Sequence, residues 1–405
     1  MCSINEELVR RFGSPLFVLD NKLLKSKFKD LYSQFNALYP TTIAYSYKTN
    51  YLPYICKTLH NEGAFAEIIP GFEFELAKKL GIKGKNIIVN GPYKPKEELR
   101  EILEYGCHVN VDNIEEIKLV SEIATDLGVI VEIGIRINAK IGKLPWSKFG
   151  FNVENGEADK VIRFIQRLKN VKLVGIHMHI GTNIIDPKLY SDAVGIIIRL
   201  YDRNKDNINI KYIDVGGGFA SSGAIPINTP SDKKWKVPST REYANAICTP
   251  LNTYFKNKKP RLILEPGRFL VDEAIYLITR VVSVKNIFGI RSLIVDAGVN
   301  ILPSSYYRNH KIVCERKGKP RILTDVYGPL CMQADLLEAG VYLPDLKPGD
   351  LLIIQTCGAY EQSQSMQFIR PRPAVVCVDG NKKFLIRRKE RLSNITAADN
   401  WNVIK

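Results

Sequence analysis

A lysine stands directly after a stretch of residues that is typical of a buried strand. Residues 42–47 are β-branched, aromatic or small, a composition that favours an interior strand. Lys48 follows where this strand should end. In one interpretation it is an ordinary surface lysine. In the other it lies at the mouth of a pocket with little water, where its amine forms a Schiff base with a carbonyl compound. The residues at the ends of the other strands decide between the two.

Apolar segments that alternate with amphipathic helical patterns predict eight strands. The alternation is typical of βα units in a parallel sheet, and eight units over about 230 residues match a (β/α)8 barrel. The patterns over 72–80 and 96–104 are examples of the helices, with Gly81 and Gly106 as their C-terminal caps. The predicted strands are 42–47, 64–68, 87–90, 108–112, 131–137, 172–178, 210–215 and 261–265.

The chemistry of such a barrel lies at the C-terminal ends of its strands. The residues at these predicted ends are a lysine, three carboxylates, an amide, an arginine, a histidine and a glycine. Because the strand ends share one mouth, we expect these groups to converge on a single active site. In chain order they are Lys48, Glu67, Asn90, Asp112, Arg136, His179, Gly216 and Glu265.

Three of these strand ends carry short motifs, and each motif allows two interpretations. His177 and His179 share one face of a strand and could bind zinc. No third ligand is close in sequence, so we expect His179 to stack on a flat aromatic cofactor instead. Gly216-Gly-Gly218 is either a tight turn or a cradle for a phosphate. In Glu265-Pro-Gly-Arg268, the glutamate and the arginine either form a structural ion pair with each other or bind a ligand. In the second case Glu265 faces a cationic ring nitrogen and Arg268 binds an anion.

Composition limits the classes of protein that remain. The chain has 405 residues, of which 45% are hydrophobic and 25% are charged, and its length favours two domains. The net charge of +16 suggests nucleic-acid binding, but the basic residues are spread out and no nucleic-acid-binding signature accompanies them. A basic lumen for an anionic cofactor explains the charge equally well. No apolar run approaches the roughly 18 residues that span a bilayer. Without a signal-peptide pattern or a regular cysteine framework, we expect a cytoplasmic protein that binds neither membrane nor nucleic acid.

After Arg268 the alternation of strands and helices gives way to strands alone. We expect the N-terminal strand 15–19 to join this second sheet, in which Asp379-Gly380 signals a hairpin turn. The predicted fold class is therefore α/β: a (β/α)8 TIM barrel over 30–270, with a second all-β, Greek-key-like barrel domain formed by 1–29 and 271–405. The segment 221–238 is predicted to be a mobile loop. The strands predicted in the second domain are 274–284, 292–296, 311–314, 321–327, 351–356, 373–378 and 382–387.

Two turns of the second domain carry reactive side chains. Cys331 lies in Gly328-Pro-Leu-Cys-Met-Gln-Ala-Asp335, and Tyr360 ends the sequence Gly358-Ala-Tyr360. Most lone cysteines are inert small hydrophobic residues, so Cys331 gains significance only together with the other motifs.

Taken in order, the motifs resemble those of diaminopimelate decarboxylases and, more broadly, of the ornithine/diaminopimelate group of fold-type III pyridoxal phosphate enzymes. The resemblance is collinear over residues 15–390. Each motif is weak alone, but the ordered set is highly specific. The motifs are Tyr45-Ser-Tyr-Lys-Thr-Asn50, Ser147-Lys-Phe-Gly150, His177-Met-His-Ile-Gly181, Gly216-Gly-Gly218, Glu265-Pro-Gly-Arg268, Asp296-Ala-Gly298, Gly328-Pro-Leu-Cys331 with Asp335, and Gly358-Ala-Tyr360.

The resemblance implies a role for each matched residue. Lys48 would carry pyridoxal 5'-phosphate as an aldimine, and His179 would stack on its ring. Glu265 would hold the ring nitrogen protonated, which makes the ring an electron sink. Cys331, contributed by the second subunit of a homodimer, would protonate the carbanion after CO2 leaves. No metal is implied. The remaining cofactor-binding residues would be Gly216, Gly217, Gly218, Gly267, Arg268 and Tyr360.

The chain departs from the family pattern where the distal end of the substrate would lie. Diaminopimelate decarboxylases usually have Cys-Glu-Ser-x-Asp where this chain has Met332 after the cysteine. The arginine that usually follows Asp-Ala-Gly is replaced by residues 302–307. A pocket without those charges should bind diaminopimelate poorly, so we expect another amino acid or an amino-acid conjugate as substrate. The residues predicted to contact it are Arg136, Asp296, Tyr307, Met332 and Asp335.

Three alternatives to this function stay open. The first is a true diaminopimelate decarboxylase, the second is an amino-acid racemase on the same barrel, and the third is a regulatory homologue without cofactor that binds a partner protein. A racemase needs a second base facing Lys48, and Cys331 in its Gly-Pro-Leu-Cys context favours the decarboxylase. The joint presence of Lys48, His179, Glu265 and Cys331 argues against a protein without cofactor.

Overall fold

The computed structural model describes residues 3–142, 148–206, 208–227, 236–315 and 321–403. They divide into two units, one within 25–220 and 236–269, and the other from 3–24, 221–227 and 270–403. Residues 221–227 thus group with the second unit rather than with the predicted barrel domain. Ser147 and residues 228–235 of the loop predicted over 221–238 lie outside the described residues. Among the residues described, no helix is long and apolar enough to cross a membrane.

Eight parallel strands close into a barrel in the first unit, which confirms the prediction. Their order is β4-β3-β2-β1-β8-β7-β6-β5, and β4 also pairs with β5. All six residues of β1 are buried, as is usual when helices cover a parallel sheet. The strands are β1 Thr41–Ser46, β2 Phe65–Ile68, β3 Ile87–Val89, β4 His108–Val111, β5 Val131–Asn138, β6 Val171–His177, β7 Tyr212–Asp214 and β8 Arg261–Leu264.

The barrel helices begin and end at residues suited to those positions. Asn113 accepts a hydrogen bond from the Glu116 amide at the start of one helix, and Gly128 ends it with a φ of 64°. Gly81 and Gly106, predicted as caps, have φ of 75° and 76°, and each lies two positions after the last residue of its helix. The helices are Asn21–Asn36, Pro53–Asn61, Phe72–Lys79, Lys96–Glu104, Ile114–Leu127, Glu157–Gln166, Lys188–Asp202 and Thr240–Tyr254, with 3-10 turns at Tyr47–Thr49 and Gly84–Asn86.

The second unit is built on one mixed sheet of nine strands. The N-terminal strand Leu16–Asp20 joins it, as predicted, antiparallel to Ile275–Ile287 and parallel to Ala374–Asp379. The predicted hairpin pairs Asp379 with Lys382. Strand Leu336–Leu343 was not predicted, because Glu338 and Gly340 interrupt its apolar pattern. The other strands of this sheet are Ile290–Val295, Ile312–Cys314, Ile322–Tyr327, Leu351–Ile354 and Lys382–Arg387.

Short elements complete the second unit. Helix Ile4–Phe12 begins with a capping box in which Ser3 and Glu6 bind each other's backbone amides. Its Leu8 and Val9 pack on Leu16, Val18, Ile278 and Val376 of the sheet. Its remaining elements are the strand pair Ile225–Pro226 and Arg308–Asn309, the helix Leu392–Ile395, and the 3-10 turns Pro303–Tyr306 and Trp401–Val403. The helix Arg268–Val271 connects the two units in sequence. In the barrel, the two-residue strand Phe151–Asn152 lies beside β5.

Candidate active site

Lys48 lies in the 3-10 turn that follows β1, at the C-terminal mouth of the barrel. Its Nζ is 2.9 Å and 2.6 Å from the two carboxylate oxygens of Glu67 in β2. The Ser46 hydroxyl also donates to Glu67. Glu67 is fully buried, whereas the Lys48 side chain is 44% exposed, so the amine is less desolvated than we expected from the sequence. A buried carboxylate thus holds an accessible amine at the barrel mouth.

Glu265 follows β8 and faces two other buried groups, Asp214 and His177. One side-chain nitrogen or oxygen atom of each of the three residues lies within 4.8 Å of those of the other two. His177 Nε2 is 3.5 Å from Glu265 Oε2. Burial and the neighbouring Glu265 raise the pKa of Asp214 well above its ordinary value. Burial opposes ionisation of Glu265 too, but His177 and Lys48 hold its pKa below the usual range. Since two carboxylates this close do not readily both ionise, these surroundings favour the charge on Glu265 and the proton on Asp214.

A row of amide side chains connects the two charged carboxylates. Asn90 Nδ2 donates to Glu67 Oε1 at 3.0 Å and to Glu265 Oε1 at 2.5 Å. Asn110 Nδ2 donates to Asn90 Oδ1 at 3.0 Å, and the Tyr212 hydroxyl donates to Asn110 Oδ1 at 2.7 Å. All these hydrogen bonds run in one direction and end on the carboxylates.

His179 packs against the glycine turn as a neutral ring. The Gly217 amide donates to His179 Nδ1 at 3.0 Å. Burial, together with the charges of Arg136 and Lys48, lowers the pKa of His179 to about 3. A Cβ at Gly216 would lie 2.7 Å from His179 Nδ1, so the ring can pack there only because the residue is glycine. A flat neutral ring beside a turn rich in amides suits a planar cofactor that carries a phosphate.

The Glu265-to-Arg268 turn packs directly on the turn that carries Lys48. A Cβ at Gly267 would lie 1.9 Å from Thr49 Oγ1, and the Ser46 amide donates to the Pro266 carbonyl at 3.3 Å. Glycine at 267 therefore allows the ends of β1 and β8 to approach each other. Besides any contact with a cofactor, this residue has a packing role.

Arg136, predicted to contact substrate, lies near the end of β5 and is buried. Its guanidinium is 4.1 Å from the ring centroid of Phe149, and Nη1 is 3.8 Å from Asp112 Oδ1. The ring and the carboxylate fix a positive charge in the barrel. Its contact with substrate stays a prediction.

In the second unit, Cys331 is exposed on a turn that Asp335 organises. Asp335 Oδ1 accepts from the Val299 amide at 2.8 Å, and Oδ2 accepts from the Leu330 amide at 2.7 Å. Asp335 is only 2% exposed, so its carboxylate is already used by the backbone. Met332, beside Cys331, is partly exposed. The geometry supports an accessible thiol on a fixed turn, and the substrate contact of Asp335 stays a prediction.

The other two predicted substrate residues of this unit differ in accessibility. Asp296 Oδ1 accepts from the Thr279 hydroxyl at 2.7 Å and from the Arg280 amide at 2.9 Å. Tyr307 is exposed. Asp296 thus supports the sheet at a strand end, whereas 44% of Tyr307 is exposed.

Tyr360 lies in a strained loop. Thr356 and Tyr360 have positive φ of 58° and 75°, which non-glycine residues seldom adopt. A Cβ at Gly358 would lie 1.7 Å from the Val271 carbonyl oxygen. Strained backbone is maintained only where surrounding contacts enforce it, and it concentrates at functional sites. The conformation supports the predicted functional role of Tyr360.

A buried ion cluster enforces this loop, and no sequence motif indicated it. Arg308 Nη1 is 2.9 Å from Asp272 Oδ2, and Nη2 is 2.9 Å from Glu361 Oε1. Nη2 also donates to the Thr356 carbonyl at 2.7 Å. The Ser304 hydroxyl donates to Glu361. Glu361 is therefore engaged inside its own unit.

Three barrel residues of the site were not among the predicted site residues: Asn110, Tyr212 and Asp214. The available signal was a polar side chain within an otherwise apolar buried strand, since such groups need partners. Asp214 also stands just before the glycine turn at Gly216. We had used only the residues at the strand ends.

The barrel residues fit pyridoxal phosphate. Lys48 offers an amine for the aldehyde, and Glu265 offers a buried negative charge for a protonated ring nitrogen. His179 offers a neutral ring face directly beside the turn that begins at Gly216. These groups suit the aldehyde, the ring face and the ring nitrogen of the cofactor.

Comparison with known proteins points to the same chemistry. Residues 22–272 match the family described as pyridoxal-dependent decarboxylase, pyridoxal binding domain. The diaminopimelate decarboxylase of Aquifex aeolicus is 33% identical over 406 residues, which cover 96% of this chain and 92% of that protein. The diaminopimelate decarboxylase of Methanocaldococcus jannaschii is 30% identical and covers 97% and 92%. A crystal structure of diaminopimelate decarboxylase from M. jannaschii in complex with L-lysine has a TM-score of 0.90 at 29% identity, covering 97% of this chain and 94% of that one.

Proposed function

We propose that this chain, which belongs to the pyridoxal-dependent decarboxylase family, removes an α-carboxylate from diaminopimelate. As a member of that family it is a fold-type III amino-acid decarboxylase that uses pyridoxal phosphate. The observation that carries the proposal is the ion pair of Lys48 with Glu67 at the same barrel mouth as the ionised Glu265. The substrate, the roles of single residues and the homodimer are parts of this proposal.

In the proposed mechanism, the barrel residues hold and orient the cofactor. Pyridoxal phosphate supplies an electron sink for the bonding pair that the departing carboxylate leaves behind. Lys48 binds the cofactor through its amine, and Glu67 orients that amine. Glu265 keeps a proton on the ring nitrogen, because its negative charge stabilises the protonated form. His179 supports the face of the ring. The phosphate is bound by Gly216, Gly217, Gly218, Arg268 and Tyr360.

Cys331 is the proposed proton donor, and it serves the site of the partner subunit in a homodimer. An exposed thiol on a turn fixed by Asp335 supports this role, since a donor must reach the reacting carbon in a fixed direction. The thiol proton replaces the carboxylate on the α-carbon. The position of the turn that carries Cys331 determines the face of the α-carbon to which the proton is added.

The relatives supply the substrate of the proposal. Three relatives that match over nearly the whole chain are diaminopimelate decarboxylases, and they favour diaminopimelate over the different substrate that we expected from the sequence. A second candidate is an α-amino acid with an uncharged distal end. Met332 favours it, because a thioether cannot pair with a distal ammonium. Glu361 is buried against Arg308 and is not placed to substitute.

Product analysis separates the two candidates. The holoenzyme is incubated with meso-diaminopimelate, L-lysine, L-ornithine and an amino acid with an amide-bearing tail, and CO2 and amine products are measured. We expect L-lysine from diaminopimelate with kcat/KM of about 10⁴ M⁻¹s⁻¹ or above, within the ordinary enzyme range. Turnover of the amide-bearing substrate without turnover of diaminopimelate would establish the second candidate instead.

A further inference from the structure

Asn90 occupies an unusual place between the two charged carboxylates of the barrel. Its Nδ2 carries two hydrogens, and the two are directed at Glu67 and Glu265. Both carboxylates are buried, and so is Asn90. One amide nitrogen thus bridges the group that holds Lys48 and the group that faces the ring nitrogen in the proposed function.

The orientation of the Asn90 amide is fixed from behind. Its Oδ1 accepts from Asn110 Nδ2, and Asn110 in turn accepts from the Tyr212 hydroxyl. Burial raises the pKa of Tyr212 well above its ordinary value, so the hydroxyl keeps its proton and donates. If the Asn90 amide turned over, its oxygen would face two carboxylates, and the donor Asn110 Nδ2 would face the amide NH2 of Asn90, which is also a donor.

The barrel makes room for this arrangement. A Cβ at Gly175 in β6 would lie 2.0 Å from Tyr212 Cζ, and one at Gly134 in β5 would lie 2.3 Å from the Tyr212 hydroxyl. Two glycines on neighbouring strands therefore admit the ring of Tyr212 into the barrel, where its hydroxyl reaches Asn110. Glycine weakens a strand interior, so its presence on both strands fits a demand for space at this point.

We infer that Asn90 is a positioning residue, which donates one hydrogen to each carboxylate and so joins the anchor of Lys48 and the anchor of the cofactor ring nitrogen into one rigid unit. This inference rests on the proposed cofactor role of Lys48. Two buried carboxylates that share a donor hold their charges with less repulsion than two bare ones. Without Asn90, Glu265 should take up a proton more readily and lose its hold on the ring nitrogen.

The acid side of a pH titration tests the inference in the holoenzyme. The visible absorbance of the bound cofactor and the Kd for pyridoxal phosphate are followed from pH 8 downward in the parent protein, Asn90→Leu and Asn90→Asp. A hydrogen bond to a charged group contributes enough to change proton affinity about tenfold or more. We expect the midpoint of the acid transition in Asn90→Leu to shift toward neutral pH by about one pH unit or more, which corresponds to this tenfold change in proton affinity. Asn90→Asp should move it further, because it places another carboxyl group directly between Glu67 and Glu265.

Asn170→Leu is the matched control. Asn170 donates to the Ser121 carbonyl and the Thr125 hydroxyl, but it precedes β6, at the other end of the barrel from the strand ends that carry the site. It should lower thermal stability without moving the cofactor titration. If Asn90→Leu behaves as this control does, Asn90 has only a structural role and the inference is wrong.

Tyr212→Phe keeps the ring and removes only the hydroxyl, so it tests the same chain of hydrogen bonds in a protein that should fold. We expect a smaller shift in the same direction, and an unchanged titration would contradict the proposed orientation of Asn90. Borohydride reduction of the parent protein, followed by peptide mapping, tests Lys48 separately. A cofactor bound elsewhere would overturn the proposed function, whereas a cofactor on Lys48 with unshifted Asn90 titrations would overturn this inference alone.

Discussion

Asp214 and Glu265 lie side by side in the barrel, with one carboxylate oxygen of each within 4.8 Å of the other, and their surroundings favour ionisation of Glu265 over that of Asp214. Burial and the Glu265 charge raise the pKa of Asp214, while His177 and Lys48 lower that of Glu265 despite burial. The Gly216 amide donates to Asp214 Oδ1 at 2.9 Å, which leaves Oδ2 to carry the proton. The environment of the pair thus favours one negative charge, on Glu265.

Asp214→Asn should therefore preserve cofactor binding and increase stability at neutral pH. The folded-state pKa of Asp214 is raised, so its contribution is fully present below the unfolded pKa of about 3.9 and is lost as pH rises. Asparagine does not titrate, and we expect a gain of about 1–3 kcal/mol at pH 7 that disappears near pH 4. Urea unfolding at both pH values measures it. A variant that is less stable than the parent at pH 7 would mean that Asp214 is ionised.

Glu338 provides a second pH dependence, in the other unit. Burial raises its pKa to about 7, although it accepts from the His310 amide at 2.7 Å. Its contribution to stability is present below about pH 4.3, the unfolded value, and is lost as pH rises toward 7. Glu338→Gln keeps an acceptor, and we expect it to stabilise by about 1 kcal/mol at pH 8, allowing for solvent screening, and not at pH 4. Exposed Glu97→Gln is the control, and equal effects from both variants would refute the assignment.

The proposed shared site predicts complementation between inactive subunits. Lys48→Ala and Cys331→Ala should each be nearly inactive, and mixed dimers should regain one intact site. Activity is measured after co-expression of differently tagged chains and isolation of the mixed dimer. Cys314→Ala, a partly exposed cysteine of the same unit, should stay active. Isolated mixed dimers without activity would show that Cys331 does not act across subunits.

Met332 should limit the affinity for a distal ammonium. A charge-assisted hydrogen bond contributes about 1.5–3 kcal/mol, or about 10- to 100-fold. Met332→Glu should therefore raise kcat/KM for meso-diaminopimelate by about that factor, mainly through KM. Met332→Leu should change it little. If Met332→Glu left kcat/KM unchanged or lowered it, Met332 would not face the distal end of the substrate.

The sequence predicted the barrel closely because the periodicity of its strands is simple. All eight strands appear near their predicted positions, and the residues at their ends, such as Lys48 and Glu265, converge on one mouth. The strand Leu336–Leu343 was not predicted, since pairing with Ile322–Tyr327 outweighs its irregular pattern. Local sequence carries strand periodicity, whereas pairing in the second sheet depends on residues far apart in the chain.

The ionisation pattern of the site could not be predicted for a similar reason. Glu265 and Asp214 are 51 positions apart by their numbering, and which of them is charged depends on His177 and on burial. Asn90 was recognised as a strand end, but its bridge to Glu67 exists only in the closed barrel. Arg308 carries no motif, and its partners become visible only in the folded unit.

Peptide mapping after borohydride reduction identifies the residue that binds the cofactor. We expect reduced pyridoxal phosphate on the peptide that contains Lys48, and loss of both label and turnover in Lys48→Ala. Lys57→Ala, on the adjacent helix, should keep both. Label on another lysine, such as the buried Lys94 that pairs with Glu116 at 2.5 Å, would contradict the account, and so would an active Lys48→Ala variant.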